Sequence, residues 1–518
     1  MQNRTRHCFL AALESLLVTA CLLALAGGAP GCDSDKGHAD TDADGDPAAD
    51  DAHADSDIDG TADADAQDTP AEDAAPDDAP TEDAAEDDGT DCVATTCAAL
   101  FVACGTIDNG CGGTLDCGPC LGPAVEAVEV VTEAASTPDD FPGSAGNYWG
   151  GHQPRIVRTS RGEVFTAYMV TGDAVDTNRW HVDLRTPSGW TTVGEGLAGR
   201  EPVHLVRGPD DTLYLVAWPG LPRLWTSTGS GTSMTFTESE IPGGWVPRTG
   251  SSTPYMGSGI SAAGDLCLFE SDGEAPGRFL YACRAAGEDS WQSQAVDIDY
   301  RHCYTFVYPQ GDGSLTWVSS RDVLWTSLGY TPPSDAFSYV FNAVTTWSAP
   351  SVTDIPTGLL VREQPQTVPG EYVMAYQRDS LIDTVGRLHV LYELVRDTTY
   401  EMRHAVVIDG AIAQDVLIVP SIPTGWTDGY YRLLEDSTGR LYWLYGRDTD
   451  VFLYPAANED GTALDDPIPL DLGGHGVTYS GIHVAAPRGG TPPSDYVEAA
   501  FPSGDNGNLW VYFRLRLR

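Results

Sequence analysis

One lysine, Lys36, stands among 518 residues, and the other 27 of the 28 basic side chains are arginine. Against them stand 76 Asp and Glu, for a formal charge of -48. No basic patch or stripe rises from this background, which argues against nucleic acid as a partner. Across 121–518 no stretch shows convincing helical periodicity either. Beyond the apolar run Phe9–Ala26, interrupted by Glu14, no segment is long and apolar enough to span a bilayer. The serine-hydrolase elbow Gly-x-Ser-x-Gly is incomplete. Gly231-Thr232-Ser233 and Gly250-Ser251-Ser252 lack the second glycine and any strand–turn–helix setting.

What is present begins with an export signal. Arg4 and Arg6 precede the apolar run, and small residues follow it. Ala24-Leu25-Ala26 suits ordinary cleavage; Ala29-Pro30-Gly31-Cys32 resembles a bacterial lipobox, with Ala29 and Pro30 departing from the usual pattern. The lipoprotein reading makes 1–31 a signal peptide and Cys32 the lipidation site. It places the protein in the cell envelope, tethered to the outer membrane by lipid alone.

Residues 32–91 read as a disordered acidic linker. Between Asp33 and Asp91 stand 24 Asp or Glu against Lys36, so -23 of the charge sits there, with Ile58 the one large apolar side chain. Like charges extend such a segment into a stalk. Asp40-x-Asp42-x-Asp44-Gly45 and Asp55-x-Asp57-x-Asp59-Gly60 match the first half of a calcium loop. The twelfth position is Asp51 in one and Ala66 in the other, so weak calcium binding is the most they imply; no other cofactor or metal is expected. Residues 92–120 hold Cys92, Cys97, Cys104, Cys111, Cys117 and Cys120, a framework for three disulfides of unspecified connectivity. Glycine-rich cysteine runs of this kind resemble small modules in the stalks of exported bacterial lipoproteins.

Residues 121–518 repeat one short sentence: a tight turn, then an apolar or aromatic strand. Asp436-Ser437-Thr438-Gly439-Arg440-Leu441-Tyr442-Trp443 is its clearest form. The aligned turn positions are Gly162, Asp211, Gly264, Gly313, Gly386 and Gly439, spaced 49, 53, 49, 73 and 53 apart. The 73 implies one unit with an insertion within Ser327–Glu371. Strand-rich units near 50 residues that cannot bury both faces alone indicate a β-propeller. A seventh, degenerate unit offers three strands before Arg518, and Ala124–Thr132 is a strand left without a partner. The expected fold is therefore all-β: a seven-bladed propeller whose N-terminal strand closes the last blade. Cys267 and Cys283, on neighbouring strands, are expected to pair, leaving Cys303 buried and free.

Propeller ligands bind at the channel mouth, near the starts of the innermost strands. Those starts carry His152, Arg301, His302 and Tyr304, the candidate catalytic group. They also carry Trp149, His204, Tyr255, Tyr430, His475 and Tyr479, the candidate ligand-binding group. His supplies a base, Tyr an acid, and Arg neutralises a carboxylate. Trp317 and Trp443, mid-strand, are packing residues instead.

The repeats resemble BNR-repeat, sialidase-like propellers. Gly189-Trp190-Thr191-Thr192 and Asp289-Ser290-Trp291 are similar to worn Asp-boxes, although the full box is absent. The arginine triad and Tyr/Glu pair of sialidases cannot be placed, which disfavours that activity. Ulvan lyases, built on similar propellers, use His, Tyr and Arg beside a uronate, but no motif aligns by position. The expectation is a monomeric, surface-displayed propeller that binds extracellular polysaccharide, with cleavage by a lyase or hydrolase left open. The alternative is a non-catalytic adhesion or protein-interaction lipoprotein, with a surface protein as partner.

Overall fold

The computed structural model describes residues 96–518 except 98–100, 103, 110–112, 120, 138–139, 141–144, 149, 248–254, 335–337, 352, 355–356, 424–428, 479–480 and 505. The expected signal, the Cys32 anchor, the acidic linker and its calcium loops lie outside the described residues, as do Trp149 and Tyr479.

The repeated turn is a backbone device. Gly162, Gly264, Gly313, Gly386 and Gly439 have φ between 82° and 107°, and Asp211 has φ 67°. Glycine enters this left-handed region at no steric cost, and aspartate tolerates it better than most residues. Each turn joins an innermost strand to the second strand of its sheet, beginning with Ile156–Arg158 and Val164–Val170.

Among the described residues there is no α-helix; the chain is strands joined by turns and short 3-10 segments. Five four-stranded antiparallel sheets form separate blades. In chain order their innermost strands are Ile156–Arg158, His204–Arg207, Gly257–Ile260, Tyr430–Glu435 and His483–Val484. The expected count of seven separate blades is corrected here. The two units turning at Gly313 and Gly386 share one eight-stranded sheet, joined where Asn342 pairs in parallel with Ala375. The cause lies in the first unit. Its strands Leu315–Leu324 and Tyr339–Ala349 are long, and a bulge between Ser320 and Asp322 bends them toward Val373–Ile382.

Closure uses both ends of this region. Ala124–Thr132 pairs antiparallel with Leu509–Arg516 and completes the sheet begun by His483–Val484. Val125 and Val128 of the closing strand pack onto the core formed by Val497, Phe501, Val511 and Phe513. The added strand covers the edge that Leu509–Arg516 would otherwise present.

Aromatic layers fill the space between sheets. Trp317 and Trp443 are buried, and Trp317 stacks on Trp347 with centroids 5.4 Å apart and planes 7° from parallel. Cys267 and Cys283 form a cross-strand disulfide, and Cys303 is buried and free. In the cysteine module Cys97 bonds Cys117. That module packs on the propeller: Arg158 lies 4.3 Å over the Phe101 ring, and Ser494 Oγ donates to Phe101 O at 3.1 Å.

Candidate functional site

The starts of the innermost strands surround a small cavity of about 130 Å³ at one end of the channel. Tyr304 is its centre. A bulge between Cys303 and Phe306 breaks the ladder, and Tyr304 takes a φ of 59°. A bulky residue in that conformation is strained, and such strain gathers at functional sites. The kink aims the phenol at the channel. Its ring lies 5.5 Å from His152, 5.5 Å from Tyr255, 5.5 Å from Tyr376 and 5.7 Å from Phe341, each edge to face. Tyr255 is also left-handed, at φ 45°.

His152 lines the cavity, and its Nε2–H donates to Met256 O at 2.6 Å. A carbonyl can only accept, so the other nitrogen, Nδ1, is the acceptor of a neutral ring. Burial pulls its pKa down to about 3, against the Met256 hydrogen bond and with help from the charges of Arg488, Arg155 and Arg432. Burial also pushes the Tyr304 and Tyr255 phenols well up, so both are neutral donors.

The other candidates divide. His204 is fully buried beside His152, ring centroids 6.3 Å apart, but its Nδ1 meets Ser258 Oγ at 2.6 Å and it does not line the cavity. Tyr430 lines the cavity. Arg301 sits behind Tyr255, its guanidinium 5.2 Å over that ring and 4.8 Å over Tyr339. Its Nη2 donates to Asp322 at 3.2 Å, and burial pushes Asp322 up to about 6 despite that partner. His475 is half-exposed and does not line the cavity.

His302 is turned away from His152 and Tyr304. Its Nδ1–H donates to Tyr300 O at 2.8 Å, and its Nε2 accepts from Thr345 Oγ1 at 3.3 Å. The ring packs edge-on against Trp347 in a separate groove of about 440 Å³. The bulge that follows Cys303 accounts for this, because it breaks the alternation that would place residues 302 and 304 on one face.

Arg378, Arg432 and Gln377 also line the cavity, and sequence reasoning passed over them. Arg378 pairs with buried Glu393 at 2.7 Å. Buried Arg432 donates only to backbone oxygens of Arg378, Tyr431 and Ile482 among the described residues. The available signal was period-two spacing: Arg378 follows Tyr376 by two, and Arg432 follows Tyr430 by two.

Below the mouth a loop crosses the channel. Arg488 Nη1 donates to His152 O at 2.6 Å, and its guanidinium lies 4.8 Å over Phe306. Arg207 Nη1 donates to Gly490 O at 2.7 Å. Beyond the loop, Arg207, Tyr308, Asp383 and Glu435 line a second cavity of about 450 Å³. Among the described residues no cluster of three His, Cys, Asp or Glu side chains could hold a metal ion.

No family model matches the chain, so the expected BNR-repeat and sialidase likeness reduces to the propeller architecture. No curated protein matches it either. Among solved structures, the polysaccharide lyase Uly1 aligns at 11% identity over 76% of this chain and 99% of that one, TM-score 0.47. A PL25 ulvan lyase bound to -[GlcA(1-4)Rha3S]- aligns at 11% identity over 76% and 96%, TM-score 0.49. An α-L-arabinanase of Penicillium chrysogenum aligns at 11% identity over 75% and 98%, TM-score 0.38.

Proposed function

We propose that the propeller binds an extracellular glycan chain at the channel mouth. The observation that carries this reading is the convergence of His152, Tyr255 and Tyr376 around the left-handed Tyr304, which with His152 and Tyr376 lines the cavity. Aromatic rings present apolar faces to sugar C–H groups, and neutral phenols donate to sugar oxygens. Arg378 and Arg432 favour an acidic sugar, since guanidinium groups match a carboxylate or sulfate.

Binding fits the cavity better than cleavage. β-Elimination beside a uronate needs a base matched to the working pH. His152 offers an acceptor nitrogen, but a conjugate acid near pKa 3 makes it a weak base at neutral pH. The protein-interaction alternative calls for a flat, closed top, and the cavity argues against it.

In this reading residues 1–31 direct export, Cys32 carries the lipid, and residues 32–91 hold the propeller away from the membrane. Fatty-acid labelling of the chain and of Cys32→Ala tests the anchor; equal labelling of the two refutes it.

The binding test is retention of the full chain on a panel of acidic and neutral polysaccharides, with ultraviolet absorbance followed for unsaturated uronates. Retention on an acidic polysaccharide without absorbance is the expected result. Retention on none removes the glycan reading, and rising absorbance replaces binding with lyase activity.

A further inference from the structure

Away from the mouth, two fully buried histidines touch. His389 lies on Leu388–Arg396 and His404 on the adjacent strand Thr399–Ile408; neither ring is exposed. His389 Nδ1 is 3.0 Å from His404 Nε2. The outer nitrogens are also engaged: His389 Nε2 meets Asp383 Oδ2 at 3.0 Å, and His404 Nδ1 meets Gly461 O at 3.1 Å.

The hydrogens in this chain can be counted. A carbonyl only accepts, so His404 Nδ1 carries a hydrogen. Asp383 receives Val385 N at 3.1 Å, Arg387 N at 2.8 Å and Arg387 Nε at 2.6 Å, all fixed donors. Burial would raise this carboxyl, but its bonds from His389 and Arg387 hold it down to about 2, so it is ionised and accepts. His389 Nε2 therefore also carries a hydrogen. The inner Nδ1 and Nε2 need one hydrogen between them, since two lone pairs at 3.0 Å repel. Two rings thus hold three ring protons, one more than two neutral imidazoles carry. The extra proton belongs to the pair, on the bond between His389 Nδ1 and His404 Nε2.

We propose that Asp383, His389 and His404 form a proton-holding latch that fastens this blade to the next. Gly461 belongs to the neighbouring sheet, in the loop between Asp450–Pro455 and Ile468–Pro469. Two further bonds reach the same loop: Arg387 Nη2 donates to Glu459 O at 2.7 Å, and Gln414 Nε2 donates to the Asp460 carboxylate. The charged groups facing the pair are Asp383 and Arg387 from the turn, Glu435 from the next innermost strand and Asp460 from the loop. The Trp443 ring closes the side, its centroid 5.1 Å from that of His404. Asp383 and Glu435 also line the lower cavity, so the pair that holds the extra proton sits one hydrogen bond from that space. Without that proton the two inner nitrogens would set lone pair against lone pair between the two strands.

The test uses the full chain with ring-¹⁵N histidine, His389 and His404 assigned through His389→Gln and His404→Gln. The native chain should show three protonated ring nitrogens across the pair, His389 Nε2, His404 Nδ1 and one of the two inner nitrogens. One ring proton on each would overturn the proposal. Asp383→Asn should reduce the pair's three protons to two; three remaining would also overturn it. His404→Phe, which keeps a ring and removes the donor to Gly461, should accelerate amide exchange at Thr462 and Ala463 about tenfold, about 1.4 kcal/mol of lost protection. Unchanged protection in that variant would refute the role.

Discussion

Ser160 gives Asp211 two hydrogen bonds across 51 residues of sequence, from its backbone nitrogen at 2.8 Å and its hydroxyl at 2.6 Å. The turn of one sheet is thereby tied to the turn of the next. The device recurs. Thr384 N donates to Glu435 at 3.0 Å, and Ser437 Oγ donates to Asp495 at 2.6 Å. A hydroxyl residue opening one repeat turn meets a carboxylate of the following unit, so the blades are fastened at their lower ends by charge-assisted bonds.

Asp211→Asn keeps a residue that tolerates the left-handed turn and removes the charge. It should cost about 1–3 kcal/mol, read as a lower denaturant midpoint with unchanged slope. The pH sign follows from the direction of the shift. Burial opposes ionisation of Asp211, but bonds from Ser160 and Arg207 outweigh it and lower its pKa. Its contribution is therefore present above the ordinary carboxylate pKa, near 4, and is lost as pH falls through the lower folded value. The gap between native and Asp211→Asn midpoints should close in acid; a constant gap would contradict the assignment.

Deleting Ala124–Thr132 should lower the melting temperature of the whole propeller rather than of one sheet. The deletion exposes the edge of Leu509–Arg516 and uncovers the core beside Val511 and Phe513. An unchanged melting curve would show that closure contributes nothing.

Trp317→Ala should destabilise by about 3–5 kcal/mol, because it leaves a cavity against Trp347 and Phe279 that the stacked layer cannot collapse to fill. Thermal unfolding measures this directly. A loss under about 1 kcal/mol would mean that the layer repacks.

Acid should unfold the propeller well before its carboxylates are exhausted. His152 and His302 are buried and neutral, each pulled by burial to about 3. Their folded values lie below the unfolded value near 6.5, so the stability they contribute is present above that pH. It is lost as pH falls from there toward 3. Denaturant midpoints taken across this range should fall steadily, and a flat profile down to pH 4 would contradict the neutral assignment.

The blade turns were legible because positive φ restricts composition: five of the six aligned positions are glycine and the sixth is Asp211. The closing strand was legible because Ala124–Thr132 is rich in valine and had no partner at its own end. The eight-stranded sheet was not, because the Asn342–Ala375 pairing depends on strand length and a bulge rather than on residue type. The same limit explains the site. Placing His152, Tyr304 and Tyr430 at one mouth needed only the strand starts. Separating His302 from Tyr304 required the bulge after Cys303, and Arg378 and Arg432 enter through alternation one step further along each strand.

Calorimetric titration of the full chain with an oligosaccharide from the polysaccharide it retains most strongly, run beside Tyr304→Ala, tests the mouth as the binding site. Tyr304 anchors the aromatic rim, so its removal should weaken binding about tenfold or more, about 1.4 kcal/mol, while the fold is preserved. Equal affinity in the two proteins would place the glycan elsewhere and contradict the account.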